Sequence, residues 1–203
     1  MGIVEILGLA ASVSLLAGWR LYLSIFATGL AMRFGWVPLP EHLHSLQALA
    51  SPWVIGVAAI AALAEFFADK VMWIDSLWDT VHTAIRPVGG ALLALALVDP
   101  SDPATQVVAF ILGGGASLLS HGAKAGTRAA VNTVPEPVSN IVVSSAEDVA
   151  SAGLLWLVYA HPAVAIGIAG LLLLVAAGLV LLVRRVFKWF SGANPPSAPH
   201  PPQ

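Results

Sequence analysis

The side chains able to do chemistry fall into stripes. Glu65 and Asp69 stand four residues apart, and Asp75, Asp79, His82 and Arg86 follow at i, i+4, i+7 and i+11. That spacing puts each set on one face of an α-helix. His121, Lys124, Arg128 and Asn132 make another such stripe, and Asn140, Ser144, Glu147, Asp148 and Ser151 a further one. Arg20 stands alone inside a long apolar run. Carboxylates and bases on facing helices can pair, pass a proton or grip a polar solute. The chain has no cysteine, no H-E-x-x-H, no G-x-S-x-G and no Gly-rich phosphate loop, so no enzyme activity, cofactor or metal is expected. His82 and His121 with Glu65, Asp69, Glu147 and Asp148 are of metal-ligand type. They are scattered over several predicted helices, and pairing of the acids with the bases is the favoured reading.

The elements carrying these stripes must cross a membrane. Of 203 residues, 58% are hydrophobic and only 10% charged, with mean hydropathy +0.87. That is too little charge to cover a water-soluble globule of this size. A soluble enzyme, a nucleic-acid binder and a disordered chain are excluded, and a net charge of -2 argues against a polyanionic partner. The absence of a basic stretch ahead of the first apolar run, with Glu5 in its place, argues against a cleaved signal peptide.

Six membrane segments are expected, giving an all-α polytopic protein. They cover 6–32, 53–64 continuing to 70, 74–98, 106–120 leading to 128, 137–160 and 163–183. Prolines punctuate the connections at Pro38, Pro40, Pro100, Pro103, Pro135, Pro137 and Pro162. Residues 1–190 are expected as one integral-membrane domain and 191–203 as a disordered Pro-rich tail. Arg184, Arg185 and Lys188 after the last segment mark the cytoplasmic side, while the 99–103 loop outside has no base. An even number of spans then puts both termini in the cytoplasm, and a re-entrant segment would reverse that parity. The location expected is the bacterial inner (cell) membrane, multi-pass.

Ala17-Gly18-Trp19-Arg20 recurs as Ala125-Gly126-Thr127-Arg128, each after a Ser-Leu-Leu. The next segment in each half carries an acidic pair, Glu65 and Asp69 or Glu147 and Asp148. Two units of three spans would be inverted relative to one another, an arrangement common in secondary transporters. Gly113, Gly114, Gly115, Gly122 and Gly126 admit either close helix packing or a broken helix in the fourth segment.

A charge at the bilayer centre costs at least about 2.5–3.5 kcal/mol, so such charges are expected to face inward and pair. The bases are Arg20, Lys70, Arg86, Lys124 and Arg128, and the acids Glu65, Asp69, Asp75, Asp79, Glu147 and Asp148. Five against six is close to neutral, which fits one shared polar centre, with Arg128 expected to pair with Glu147 or Asp148. Blander readings stand beside this one. The 75–86 stripe fits an interfacial helix anchored by Trp73 and Trp78, and Lys124 and Arg128 fit snorkelling to headgroups.

The motifs E-F-F-A-D-K-V-M-W-I-D-S-L-W-D from Glu65, R-P-V-G-G-A from Arg86, H-G-A-K-A-G-T-R-A-A-V-N from His121, P-E-P-V-S-N from Pro135 and A-E-D from Ala146 occur together. In these the chain resembles a family of small bacterial membrane proteins catalogued as a domain of unknown function, four-one-two-six. The resemblance runs from Leu7 to Lys188. It implies an integral-membrane helical fold and carries no function with it.

The role expected is a secondary transporter or channel for a small polar or anionic solute, proton-coupled through Glu65, Asp69, Glu147 or Asp148. Arg20, Lys124 and Arg128 would attract the solute, with Asp79, His82, Arg86, His121 and Asn132 lining the same centre. The alternative is a membrane scaffold, assembly factor or lipid-headgroup binder whose pairs hold helices together. The partners expected are the bilayer, a small polar solute or ion and, as an open alternative, further copies of the chain. Nucleic acid is not among them.

Overall fold

Long runs of Ala and Leu, interrupted by Gly and Pro, dictate helices with sharp starts. In the computed structural model, which describes residues 3–36, 48–98, 101–131 and 137–191, seven α-helices and no strand form among the described residues. They are α1 (Ile3–Trp19), α2 (Leu21–Arg33), α3 (Pro52–Ala68), α4 (Met72–Ala96), α5 (Pro103–Val131), α6 (Pro137–Ala160) and α7 (Pro162–Ser191). Four of the seven begin at proline, where the missing N–H would have had no helical partner. Asp102 caps α5 by accepting from the N–H groups of Ala104 (3.1 Å) and Thr105 (3.3 Å). At the end of α2, Gly35 turns left-handed (φ 68°). Its N–H bonds Met32 O (3.1 Å) and that of Trp36 bonds Ala31 O (2.8 Å), the double closure of a Schellman motif.

The first departure from expectation is at Arg20. The sequence reads 6–32 as one segment; the chain instead forms two helices meeting at this residue (φ -139°, ψ 78°). Seven helices therefore stand where six segments were expected. Residues 3–96 form four of them and 103–191 three, so the two halves do not match helix for helix. The glycine-rich stretch, in contrast, does not break: α5 runs through Gly113, Gly115, Gly122 and Gly126.

Contacts fix the direction of each helix. Ser14 Oγ donates to Gly90 O (2.8 Å) and Arg86 Nη1 to Gly18 O (3.3 Å), so α1 and α4 are antiparallel. Gly113 lies against Ser14 and Gly18 against Ser117, so α1 and α5 are parallel. Arg128 meets Asn140 and Lys124 shares a cleft with Glu147, making α5 and α6 antiparallel. Arg20 meets Asp148 and Thr28 bonds Tyr159, so α6 and α2 are parallel. It follows that α2 runs opposite to α1: the chain turns back at Arg20. Gly29 beside Ile55, with Leu23 beside Phe66, makes α3 antiparallel to α2. Gly8 beside Ile166 starts α7 alongside α1. Successive helices thus alternate in direction. The joints at Arg20 and at 69–71 gather at one end of the bundle, with the end of α5 and the start of α6.

Packing is closest among α1, α4 and α5. A Cβ on Gly18 would lie 2.2 Å from Ser117 O, and one on Gly113 would lie 2.4 Å from Ala94 Cβ. An apolar cluster that includes Leu9, Val13, Leu93, Leu97 and Val158 fills the bundle away from those joints. The outer surface is apolar as well: Trp53 is 84% exposed and Val149 and Leu174 each 74%. The interior holds Arg20, Glu65, Asp69, Asp75, Asp79, Arg86, Lys124 and Arg128, while Arg33, Arg184, Arg185 and Lys188 are exposed. Among the described residues, two helical stretches are long and apolar enough to cross a membrane, Pro103–Ala129 and Val138–Ala160. The proline-marked positions 38, 40, 100 and 135 and the tail from 192 onward lie outside the described residues.

Candidate functional site

Two helix ends face each other at the joint end of the bundle. A helix C-terminus leaves carbonyls unpaired and carries partial negative charge, so it favours cations. At the end of α1, Gly18 O accepts from Arg86 Nη1 (3.3 Å) and Trp19 O from Lys124 Nζ (3.4 Å). At the end of α3, Asp69 O accepts from Arg128 Nη2 (3.3 Å) and from Asn140 Nδ2 (3.2 Å). The residues at the two joints then pair with each other: Arg20 Nη1 lies 2.5 Å from Asp69 Oδ2.

From this pair the network spreads. Asp69 Oδ2 also accepts from Lys124 (2.7 Å) and lies 3.7 Å from Arg128. Arg20 Nη2 lies 2.6 Å from Asp148 Oδ1, and Lys70 Nζ donates to Asp148 Oδ2 (2.8 Å) and Ser144 Oγ (3.3 Å). Arg128 Nη2 lies 3.3 Å from Glu147 Oε2, while its Nη1 donates to Asn140 Oδ1 (2.6 Å). Arg86 Nη2 donates to Glu65 Oε1 (2.8 Å), and its Nη1 lies 3.2 Å from Asp79 Oδ1. Asp75 Oδ1 lies 3.9 Å from Arg128 Nε. Five bases and six acids thus form one connected set. Arg20, Arg86, Lys124, Arg128, Glu65, Asp69 and Asp75 are at most 2% exposed.

Two histidines edge the network with assignable protons. Arginine only donates, so Arg86 Nη1 at 2.8 Å makes His121 Nδ1 an acceptor. His121 Nε2–H then donates to Thr83 Oγ1 (3.0 Å), whose hydroxyl donates to Asp79 O. His121 is held as the neutral Nε2–H tautomer. His82 Nδ1 donates to Trp78 O (2.8 Å), leaving Nε2 to accept from the Tyr22 hydroxyl (3.1 Å). No group of three or more His, Asp or Glu placed to hold a metal occurs among the described residues; the bases stand between the acids.

The structure brings together Arg20, Glu65, Asp69, Asp79, His82, Arg86, His121, Lys124, Arg128, Glu147 and Asp148 from the sequence reading. Asn132 lies outside the described residues. Arg128 meets Glu147, one of its two expected partners, and Asp148 goes to Arg20. Tyr22 and Thr83 were missed. Thr83 lies four residues beyond Asp79 and shares its stripe, a signal that was there to use. Tyr22 carries no such signal, nor do the carbonyls of Gly18, Trp19 and Asp69.

Cavities approach the network on opposite faces of α6. One of about 440 Å³ lies among α2, α3 and α6, walled by Leu23, Phe26, Ala62 and Leu63, with Arg20, Glu65 and Asp148 at its inner end. Another of about 410 Å³ lies between α5 and α6, reaching Lys124 and Glu147 beside Trp19. The adjacent acids Glu147 and Asp148 therefore face different clefts.

No curated protein and no solved structure shows a significant match to the chain. The family model described as Domain of unknown function (DUF4126) matches residues 7–182, most of its length, and the chain belongs to that family.

Proposed function

We propose that this chain is a multi-pass inner-membrane carrier that passes a small polar solute through the ion-pair network, with proton exchange on its carboxylates. The apolar outer surface and the charged interior support a lipid surround. We read α3 to α7 as spans and the α1–α2 pair as a hairpin entering the same layer. Alternation of the helices then puts the start of α1 on the side opposite the end of α7. With Arg184, Arg185 and Lys188 cytoplasmic, the 69–71 joint is cytoplasmic too, and Arg33 is external. Against the expected even count of spans, this reading moves only the N-terminus.

The observation that carries the proposal is the pair of clefts on opposite faces of α6, both ending on the same network. A modest shift of α6 would exchange which acid meets Arg20 or Arg128. All five bases of the network already have acid partners, so none of these five is free to seat an anion, and a solute that displaces one partner of a pair fits better. Six acids against five bases leave a carboxylate in surplus, which can take up and release a proton in a low-dielectric site. The alternative is a structural staple. It is favoured by one observation, that the network ties together the joints of α1–α2 and α3–α4 with α5 and α6.

The test uses proteoliposomes with a lumenal pH dye and a panel of polar solutes. A carrier moves protons with at least one solute, and Glu147→Gln removes that signal while the protein stays folded. The chain has no cysteine, so Ala146→Cys and Ala152→Cys report the two clefts separately to a water-soluble maleimide. Silence across the panel, with both cysteines unreactive, would leave the staple.

A further inference from the structure

Lys70 follows Asp69 at the joint between α3 and α4, where the chain has left the helix. Its ammonium donates to Asp148 Oδ2 (2.8 Å) and to Ser144 Oγ (3.3 Å), and lies over the Phe66 ring, 3.4 Å from the centroid. Phe66 on α3 and Asp148 on α6 are opposite walls of the cleft that ends at Arg20, and Lys70 ties one to the other. The second oxygen of Asp148, Oδ1, meets Arg20 (2.6 Å). One carboxylate thus has the buried base on one side and Lys70 on the other. Exposure sets this pair apart. Lys70 and Asp148 are each 20% exposed, whereas the network's other pairs among the described residues, from Arg20–Asp69 to Arg128–Glu147, each have a partner at most 3% exposed. Water and salt therefore act on Lys70–Asp148 more than on any of these.

We infer that the Lys70 side chain is a latch over the cytoplasmic mouth of this cleft, and that its release from Asp148 and Phe66 admits cytoplasmic water to Arg20. The moving part is a flexible four-carbon stem on a non-helical residue, so opening needs no helix to shift. The flanking wall stays in place, because α6 is held on both sides of this stretch. Asn140 Nδ2 donates to Asp69 O (3.2 Å) at one end, and Tyr159 bonds Thr28 at the other. The inference rests on the placement that makes the 69–71 joint cytoplasmic, and not on transport. A silent flux assay leaves it standing, and its own failure leaves the carrier reading standing.

The experiment uses the full chain with one reporter, Ala62→Cys, on the cleft wall one helical turn inside Phe66. An impermeant maleimide is added to inside-out vesicles, which present the cytoplasmic face, and to spheroplasts, which present the outer one. Lys70→Gln removes the charge and should speed labelling in inside-out vesicles about tenfold, the equivalent of about 1.4 kcal/mol. Lys70→Arg keeps a cation able to pair with Asp148 and stack on Phe66, and should restore the slow rate. Raising NaCl to about 1 M, where the Debye length is about 3 Å, should speed labelling about twofold with Lys70 in place and not in Lys70→Gln. Ala123→Cys, on the wall of the opposite cleft, should respond to none of these changes. If Lys70→Gln fails to fold, the salt response of the chain with Lys70 decides. Labelling indifferent to Lys70→Gln and to salt overturns the latch. Equal gains at Ala62→Cys and Ala123→Cys also overturn it, since they report a general loosening. Gains confined to spheroplasts overturn the cytoplasmic placement.

Discussion

Asp69 holds the network together more than any other acid. Its Oδ2 is within 3.7 Å of three bases, Arg20, Lys124 and Arg128, and its side chain is fully buried. Its carbonyl closes the end of α3 on Arg128 and Asn140. Removing one partner from a buried ion pair leaves the other charge uncompensated, at a cost of about 3–5 kcal/mol. Asp69→Asn should therefore destabilise the protein by about that much. Asp148 bridges two bases from a side chain 20% exposed, and water can take over part of its role. Asp148→Asn should cost about 1–2 kcal/mol, between the values for exposed and buried pairs. Tryptophan fluorescence during denaturation in detergent measures both, and the reverse order would contradict this account of the network.

Legibility at this scale was high for side chains and low for backbone. Helical spacing in an apolar background was enough to gather Glu65 to Arg86, His121 to Arg128 and Glu147 with Asp148, because the other faces of these helices carry the apolar outer surface. What spacing cannot report is a carbonyl. Gly18 O and Trp19 O attract Arg86 and Lys124 only because α1 ends there, and nothing in A-G-W-R marks an end: no proline and no left-handed glycine occur at that joint.

Elements show the same limit in the glycines. The sequence allowed close packing or a broken helix in the fourth segment. The outcome is a continuous α5 whose glycines differ in role. Gly113 lies where α4 approaches so closely that a methyl would meet Ala94 and Gly90, whereas Gly122 and Gly126 have open space. No local pattern separates them, since the difference lies in what the neighbouring helices present. Gly18→Ala and Gly113→Ala should push α1 or α4 off α5 and destabilise by about 1–3 kcal/mol. Gly126→Ala meets nothing and should stabilise by up to about 1 kcal/mol through helix propensity. Thermal denaturation of the three variants decides, and equal effects would mean that the close approach of α1, α4 and α5 does not bear on stability.

For the whole molecule, one residue changes the reading. Taken as one span, 6–32 gives six crossings and puts both termini on one side. Reversal at Arg20 gives seven alternating helices and puts the start of α1 and the end of α7 on opposite sides. The bases do not decide between these readings, because Lys70 and the 184–188 cluster fall inside and the 99–103 loop outside in both. Only the start of α1 moves. An epitope joined ahead of Ile3 should therefore be reached by antibody on intact spheroplasts, from the outer face of the membrane. One joined after Ser191 should need permeabilised cells. Ser101→Cys, on the connection between α4 and α5, should react with an impermeant maleimide from the outside and fixes the frame for the other two. If both epitopes need permeabilisation while Ser101→Cys reacts, the α1–α2 reversal is wrong. Arg20 would then lie within a continuous span, and the network would no longer sit at a joint between two helices.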